Sequence, residues 1–296
     1  MDYKGYQVIK ESNKIIIHAV KDFLPKHVFE CGQCFRWFKE SDGGYTGVVK
    51  GKVAKVYYSE GRLEIVNATF QDFAQVWYDY FDLGRDYGEI KKMLCKDDIM
   101  KQAIAFGYGM RLLKQDPWET LISFIISSNS NIPKIIQTIS SLSREFGNEI
   151  LFNDKSYFTF PNMDSLIDSS IQELQVCKGG YRCKYIYQTS KIIKAGLVNF
   201  NSLCGLTTEE ARNELIKLPG VGNKVADCAV LFSGIKHDVF PTDVWVKRVM
   251  EELYFKQEVT IKEIQSFARD YFGELAGFAQ QFLFYYAREK RIGVKQ

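Results

Sequence analysis

The stretch Leu218-Pro219-Gly220-Val221-Gly222-Asn223-Lys224-Val225-Ala226-Asp227-Cys228 leaves few choices to a chain that contains it. Pro219 ends one helix, because its ring blocks continuation and it has no N–H to give. Gly220 and Gly222 allow backbone angles and close approaches that a Cβ would obstruct, so a tight turn follows. Asn223 is then expected to cap a second helix. Amide N–H groups left unpaired in such a turn and at a helix N-terminus point outward and suit a phosphate oxygen. Gly220, Val221 and Gly222 are therefore a candidate backbone grip on a nucleic acid. Lys224 falls in the first helical turn, where the positive end of the helix dipole disfavours a second positive charge. That setting suits an amine nucleophile. Cys228, four residues on, shares its helical face.

Further along, Phe240-Pro241-Thr242-Asp243-Val244-Trp245 supplies a carboxylate at another helix start. Asp243 there is a natural cap, and capping is compatible with a catalytic role. From these residues alone a non-catalytic DNA-binding hairpin and an amine-using enzyme both stand. A hairpin of this form, a lysine just after it and an aspartate in a Pro-x-Asp-Val context resemble the base-excision DNA glycosylase superfamily. Within it, V-G-N-K-V-A-D-C resembles the 8-oxoguanine DNA glycosylase family.

The chain of 296 residues is long enough for two domains, and 46% hydrophobic residues supply a substantial core. A net charge of +3 excludes a general polycation, so nucleic-acid contacts must come from local patches and backbone amides. Seven cysteines without regular pairing point to a reducing compartment and free thiols. Cys31 and Cys34 form a C-x-x-C, but no second pair follows at zinc spacing, so no metal is expected. Some members of the superfamily carry a four-cysteine iron–sulfur loop near the C-terminus. Here no cysteine follows Cys228, and no cluster or other cofactor is expected. Whether a monovalent cation sits at the hairpin is left open. The first residues lack a signal-peptide run and no segment has the length of a membrane span, so an intracellular protein, cytoplasmic and nucleoid or nuclear, is expected.

From the N-terminus to about residue 67 the pattern is that of strands. Short runs at 14–20, 45–49, 53–58 and 63–66 are separated by Lys50-Gly51-Lys52 and Ser59-Glu60-Gly61-Arg62, which predicts an antiparallel meander. Neither His18 nor His27 has a partner at ligand spacing. Residues 69–81 and 97–106 follow with helical spacing. Asp116-Pro117-Trp118-Glu119 opens a helix, with Asp as cap, Pro at the first position and Glu three beyond the cap. That helix breaks at Ser127-Ser128-Asn129-Ser130-Asn131 and resumes at Ile132-Pro133, with Asn131 as cap. Thr207 and Glu210 cap the helix leading into the hairpin. A boundary near residue 115 divides the chain into residues 1–115, β-rich, and residues 116–296, helical.

Four further segments carry the resemblance. Phe29-Glu30-Cys31-Gly32-Gln33-Cys34-Phe35-Arg36-Trp37 reads on its own as a strand with Phe35 and Trp37 in the core. It also resembles the family's G-Q-x-F-R-W segment, which implies that the backbone carbonyl of Gly32 reads the lesion. 8-Oxoguanine carries a proton on N7 where guanine has a lone pair, so a fixed carbonyl attracts one and repels the other. Ser127 to Ile132 is similar to the family's S-S-N-x-N-I, which implies that Asn129 pairs with the base opposite the lesion. Lys134 stands where eukaryotic members have an arginine that reads the opposite cytosine. Lysine lacks the planar fork, so strict cytosine reading is not implied. Gly180-Tyr181-Arg182, in a basic loop, resembles G-Y-R, which implies Tyr181 as a wedge in the duplex and Arg182 on the estranged base. Gln280 and Phe284, four apart on one helical face, correspond to the family's base-binding pair, with Cys228 on the opposite ring face. Trp245 departs from the histidine that contacts phosphate in eukaryotic relatives.

The resemblance implies an α+β chain, an antiparallel β-rich domain packed on an all-α helix–hairpin–helix glycosylase domain. It also implies double-stranded DNA containing 8-oxoguanine as the partner, and a monomer. Lys224 and Asp243 would carry catalysis. A glycosylase for alkylated purines, or a non-catalytic DNA-binding protein, are the alternatives; the lysine speaks against both.

Overall fold

The computed structural model describes residues 1–293. Strands β1 (Asp2–Tyr3), β2 (Tyr6–Glu11), β3 (Lys14–Ile17), β4 (Trp37–Lys39), β5 (Tyr45–Val49), β6 (Lys52–Ser59) and β7 (Arg62–Val66) form one antiparallel sheet in the order β1-β2-β3-β7-β6-β5-β4. The expected meander is β5-β6-β7. Its two turns pair Val49 with Lys52 and Ser59 with Arg62. Lys50 and Gly51, like Glu60 and Gly61, all have positive φ, the backbone of two-residue hairpins whose twist matches their strands. Ile15, Ile17, Val56, Leu63 and Ile65 are fully buried on the core face.

Residues 69–81 do wind helically, but with a π turn at Phe73–Trp77 between Phe70–Asp72 and Tyr78–Tyr80. The extra residue per turn is absorbed where Phe73 and Trp77 are both fully buried against the sheet. The segment 29–37 is not a strand. A short helix, Pro25–Phe29, is followed by an irregular loop that reaches β4 only at Trp37. Phe35 and Trp37 are nevertheless buried, and Trp37 stacks on Phe29 at 4.2 Å between ring centroids.

What holds that loop is Gln33, which is fully buried. Its Nε2 donates to the carbonyls of Val28 and Arg111, both at 2.8 Å, and its Oε1 accepts from Leu113 N–H at 2.9 Å. Gln115 then donates from its side chain to Gln33 O and from its backbone to Phe232 O. The loop is thereby stitched both to the segment leaving the sheet and to a helix of the second half. A buried amide with both ends satisfied over such sequence separation rigidifies what it joins.

Among the helices of the second half are α1 (Pro117–Ser127), α2 (Ile132–Phe146), α3 (Arg182–Lys194), α4 (Thr208–Ile216), α5 (Asn223–Phe232), α6 (Val244–Val249) and α7 (Ala276–Lys290). The expected caps Asp116, Asn131 and Thr207 each accept the amide three residues on. Glu119 does not turn back to its cap. It pairs instead with Arg36 at 3.2 Å, and its burial pushes the carboxyl up while Arg36 opposes the shift. A small ribbon, β8 (Glu149–Phe152) and β9 (Lys155–Phe158), is inserted among the helices. Arg36 also bonds Phe158 O, so this ribbon leans on the sheet side.

Helix α7 is buried on almost every side, which fits a helix without a polar face at the centre of a fold. It packs against the helix Asp98–Phe106 of the first half and against α6 of the second. Its start is pinned where Gly277 N–H donates to His237 O at 2.7 Å, and any Cβ at 277 would collide with Leu231.

His237 stacks on Phe278 with centroids 5.2 Å apart. Burial first, and then the Arg85 guanidinium, hold its imidazole down at about 4, against an ordinary value of 6.5. Below pH 6.5 the unfolded chain takes up a proton that the folded chain refuses. The stabilising difference is therefore complete above that pH and lost as pH falls toward 4. Over this window the loss is about 3 kcal/mol. The buried carboxyls of Glu119 and Asp227 are shifted upward and act in the opposite sense. Urea melts from pH 7 to pH 4 should therefore show a shallower acid loss in His237→Phe than in the native chain. Parallel profiles would refute the assignment.

Candidate active site

The hairpin lies between α4 and α5. Leu218 O accepts from Val221 N–H at 3.1 Å, and Gly220 sits at φ +78° with the Tyr185 ring against the space a Cβ would take. Asn223 is not the cap: it is the first residue of α5, and Gly222 holds the cap position in extended backbone with no capping side chain. Gly222 cannot offer a side-chain oxygen, so the first-turn amides stay uncapped. Exposed donors at the positive end of a helix are what an external phosphate needs.

Lys224, one step into α5, projects across to α1. Its Nζ donates to Ser127 Oγ at 3.1 Å and stands 5.0 Å from the centroid of the Phe124 ring. Ser127 in turn donates to Phe124 O at 2.7 Å, so its oxygen is oriented to accept from the amine. With one N–H fixed on serine, the rest of the amine is aimed rather than free to rotate.

Asp243 caps α6, accepting from Trp245 N–H and Val246 N–H, both at 2.9 Å. Both bonds end on Oδ1, which leaves Oδ2 available. The cap fixes the carboxylate in the lining of the same cavity that Lys224 lines.

That cavity holds about 370 Å³ and gathers Gly32, Lys224, Cys228, Asp243, Gln280 and Phe284 from four separate stretches of chain. Its volume lies in the range of small-molecule sites. Gly32 is at φ +88°, and a Cβ there would stand 3.0 Å from Phe284 Cε1 and 3.0 Å from Arg288 Nη1. Among the described residues, no backbone or side-chain donor reaches the Gly32 carbonyl. Gln280 donates from Nε2 to Pro241 O at 3.0 Å, and this fixes the amide's orientation. Its Oε1 is buried without any partner. A buried acceptor left unpaired is costly unless a ligand supplies the donor. Cys228 is buried, and desolvation pushes its thiol up to about 12 despite the nearby Lys224 charge. It therefore faces the cavity as a neutral, polarisable –SH.

Gly32→Ala is expected to lower the rate of any chemistry in the cavity roughly 10- to 100-fold, since a left-handed alanine costs about 1–2 kcal/mol and its methyl displaces the Phe284 ring. Single-turnover kinetics beside a thermal melt check this. A rate within twofold of native would remove Gly32 from the site.

Asn129, Lys134, Tyr181 and Arg182 do not line the cavity. Asn129 is exposed at φ +49° in the break between α1 and α2. Arg182 Nε donates to Ser128 O at 2.9 Å and Nη2 to Asn129 O at 3.0 Å, so it braces that break. Tyr181 is 53% exposed beside it, with the Arg182 guanidinium 4.6 Å from its ring centroid. Lys134 is exposed in the first turn of α2. Asn129, Tyr181 and Arg182 meet where the break adjoins the start of α3, and Lys134 follows the break on α2.

Ser127, Phe124, Gln33 and Arg288 escaped the sequence reading. Ser127 and Gln33 do lie within quoted motifs, and Arg288 lies four residues beyond Phe284 on α7. Cys31 and Cys34 are buried free thiols donating to Val28 O and Phe29 O. Among the described residues no group of three His, Cys, Asp or Glu is placed to hold a metal, and no helix is long and apolar enough to cross a membrane.

Residues 15–121 match the model of the 8-oxoguanine DNA glycosylase N-terminal domain, and residues 122–273 match that of the HhH-GPD superfamily of base excision DNA repair proteins. A probable N-glycosylase/DNA lyase of Methanothermobacter thermautotrophicus is 32% identical over 72% of this chain and 74% of its own. MBOgg1, solved in complex with a low-affinity DNA ligand, is 48% identical with a TM-score of 0.95, covering 97% of this chain and 99% of its own. The Clostridium acetobutylicum 8-oxoguanine glycosylase/lyase, solved with double-stranded DNA containing cytosine opposite 8-oxoG, is 42% identical with a TM-score of 0.94 over the same shares. Agreement of that extent, over both halves, places the chain in the 8-oxoguanine DNA glycosylase family of N-glycosylase/DNA lyases.

Proposed function

We propose that this enzyme extrudes 8-oxoguanine from duplex DNA into the cavity, excises it with Lys224 as nucleophile, and nicks the resulting abasic strand. The observation that carries the reading is the chemical complement of the cavity. It offers an unpaired acceptor on Gln280, a free carbonyl on Gly32 and an amine on Lys224. Guanine's pyrimidine edge carries N–H donors for Gln280 Oε1, and only the oxidised base carries N7–H for Gly32 O. Phe284 and the Cys228 thiol would hold the two ring faces.

The amine of Lys224 attacks the sugar C1′ as the glycosidic bond breaks, and the bonding pair leaves with the base, which takes up a proton. Positive charge developing on the sugar faces the Asp243 carboxylate. Ring opening of the bound sugar gives a Schiff base between Nζ and C1′. Loss of a proton from C2′ then expels the 3′ phosphate by β-elimination, and hydrolysis frees the lysine. The uncapped amides at Gly222 and α5 would hold backbone phosphate, with an affinity that falls as salt rises.

Asn129 and Lys134 would face the base left opposite the lesion, with Tyr181 as the wedge in the duplex and Arg182 holding their loop in place. Lysine at 134 presents a point charge rather than a fork, which favours a relaxed choice of opposite base. We further propose that the reaction needs neither metal nor iron–sulfur cluster, that the enzyme acts as a monomer, and that it works inside the cell. Borohydride trapping on a duplex with one 8-oxoguanine opposite cytosine is the test. A covalent adduct that forms with this duplex and not with a guanine duplex supports the reading; excision without any adduct overturns the amine mechanism.

A further inference from the structure

Arg288 is among the residues that line the cavity. Its side chain is only 15% exposed. Nε and Nη2 both donate to Glu289 Oε1, at 3.0 and 2.9 Å, and Nη2 also donates to Glu30 O at 2.6 Å. Nη1 is buried and has no partner. One nitrogen of a clamped guanidinium is thus left unsatisfied beside Gly32, whose missing Cβ would lie 3.0 Å from it. A buried cationic donor without an acceptor is a strong demand for one.

The helix shows which end of a bound base meets that demand. Gln280 and Arg288 both stand on α7, eight residues and so about 12 Å apart along its axis, with Phe284 between them. If Gln280 holds the pyrimidine edge and Gly32 O holds N7–H, Arg288 lies past Gly32 at the imidazole end. The acceptor there on 8-oxoguanine is O8. Undamaged guanine has no oxygen at that place. An arginine usually reads guanine with a two-pronged fork on O6 and N7. Here the other nitrogens are committed to Glu289 and Glu30, so that fork is not available to the normal base.

We propose that Arg288 is a specificity-determining residue that reads the lesion's own oxygen, its Nη1 donating to O8 while Gly32 O accepts from N7–H. The proposal rests on the function argued above. Side by side, an acceptor and a donor on the protein then match the donor and acceptor that oxidation creates on the base.

The test crosses protein and substrate changes. Native enzyme and Arg288→Leu are compared in single turnover on duplexes carrying 8-oxoguanine or 8-thioguanine, which keeps N7–H but replaces O8 by a weakly accepting sulfur. Cleavage of a preformed abasic site, which has no base to read, reports whether the variant is intact. Arg288→Leu should lose roughly 10- to 100-fold on 8-oxoguanine and about threefold or less on 8-thioguanine, with abasic cleavage near native. Arg288→Gln, which keeps a donor for Glu30 O, should show the same pattern and serves if the leucine variant folds poorly. An equal loss on both bases, or no loss, overturns the contact and leaves Arg288 as a brace of the Gly32 loop. A native enzyme that fails to excise 8-oxoguanine at all would overturn the function itself.

Discussion

Lys224→Gln is expected to bind lesion duplex almost normally, to excise 8-oxoguanine on the order of 10⁴-fold more slowly or worse, and to give no borohydride-trapped adduct. Glutamine keeps the reach of the side chain and retains an amide donor for Ser127 Oγ, the hydrogen-bond partner that Lys224 has in the folded chain. What it lacks is a nucleophilic lone pair. Because the side chain is partly exposed and makes a single hydrogen bond, stability should move by less than about 1 kcal/mol. Loss of rate without loss of melting temperature would isolate the chemistry. Residual excision near the native rate would show that water, and not this amine, attacks the sugar.

Asp243→Asn should be the second severe defect, a fall of roughly 10²- to 10³-fold in the excision step with little change in stability. The two functions of this residue come apart in that variant. Asparagine caps a helix about as well as aspartate, so the bonds from Trp245 N–H and Val246 N–H to the Oδ1 position survive. The negative charge proposed to face the sugar does not. Asp243→Ala removes both, and should add a stability loss of about 1 kcal/mol. Equal melting-temperature losses in the asparagine and alanine variants, or a native rate in the former, would contradict this division of labour.

Much of the local structure around this site was legible in the sequence. Pro219, Gly220 and Gly222 prescribe their turn through local backbone chemistry, and the caps at Asp116, Asn131 and Thr207 act over three residues. The hairpins after Val49 and Ser59 are equally local. What resisted reading depends on partners far along the chain. Gln33 shapes the Gly32 loop through Arg111 and Leu113, about eighty residues away. Glu119 abandons its own cap for Arg36, eighty-three residues distant. The same distance effect hid Arg288, whose clamp on Glu30 O spans 258 residues. Asn223 is a different failure. It has the right side chain for a cap, but the turn closes one residue earlier, so Gly222 takes the position.

The state of Cys228 bears on how long such an enzyme keeps working. Peroxide attacks thiolates, and a thiol pushed up to about 12 supplies almost none at neutral pH. The sulfur that would face an oxidised base is thus itself slow to oxidise, and so are Cys31 and Cys34, whose thiols burial also pushes up. Cys95 and Cys204 are the exposed thiols that an oxidant meets first, and both lie outside the lining of the cavity. An oxidative burst that damages DNA would therefore meet the surface thiols Cys95 and Cys204 before the buried sulfur that lines the cavity.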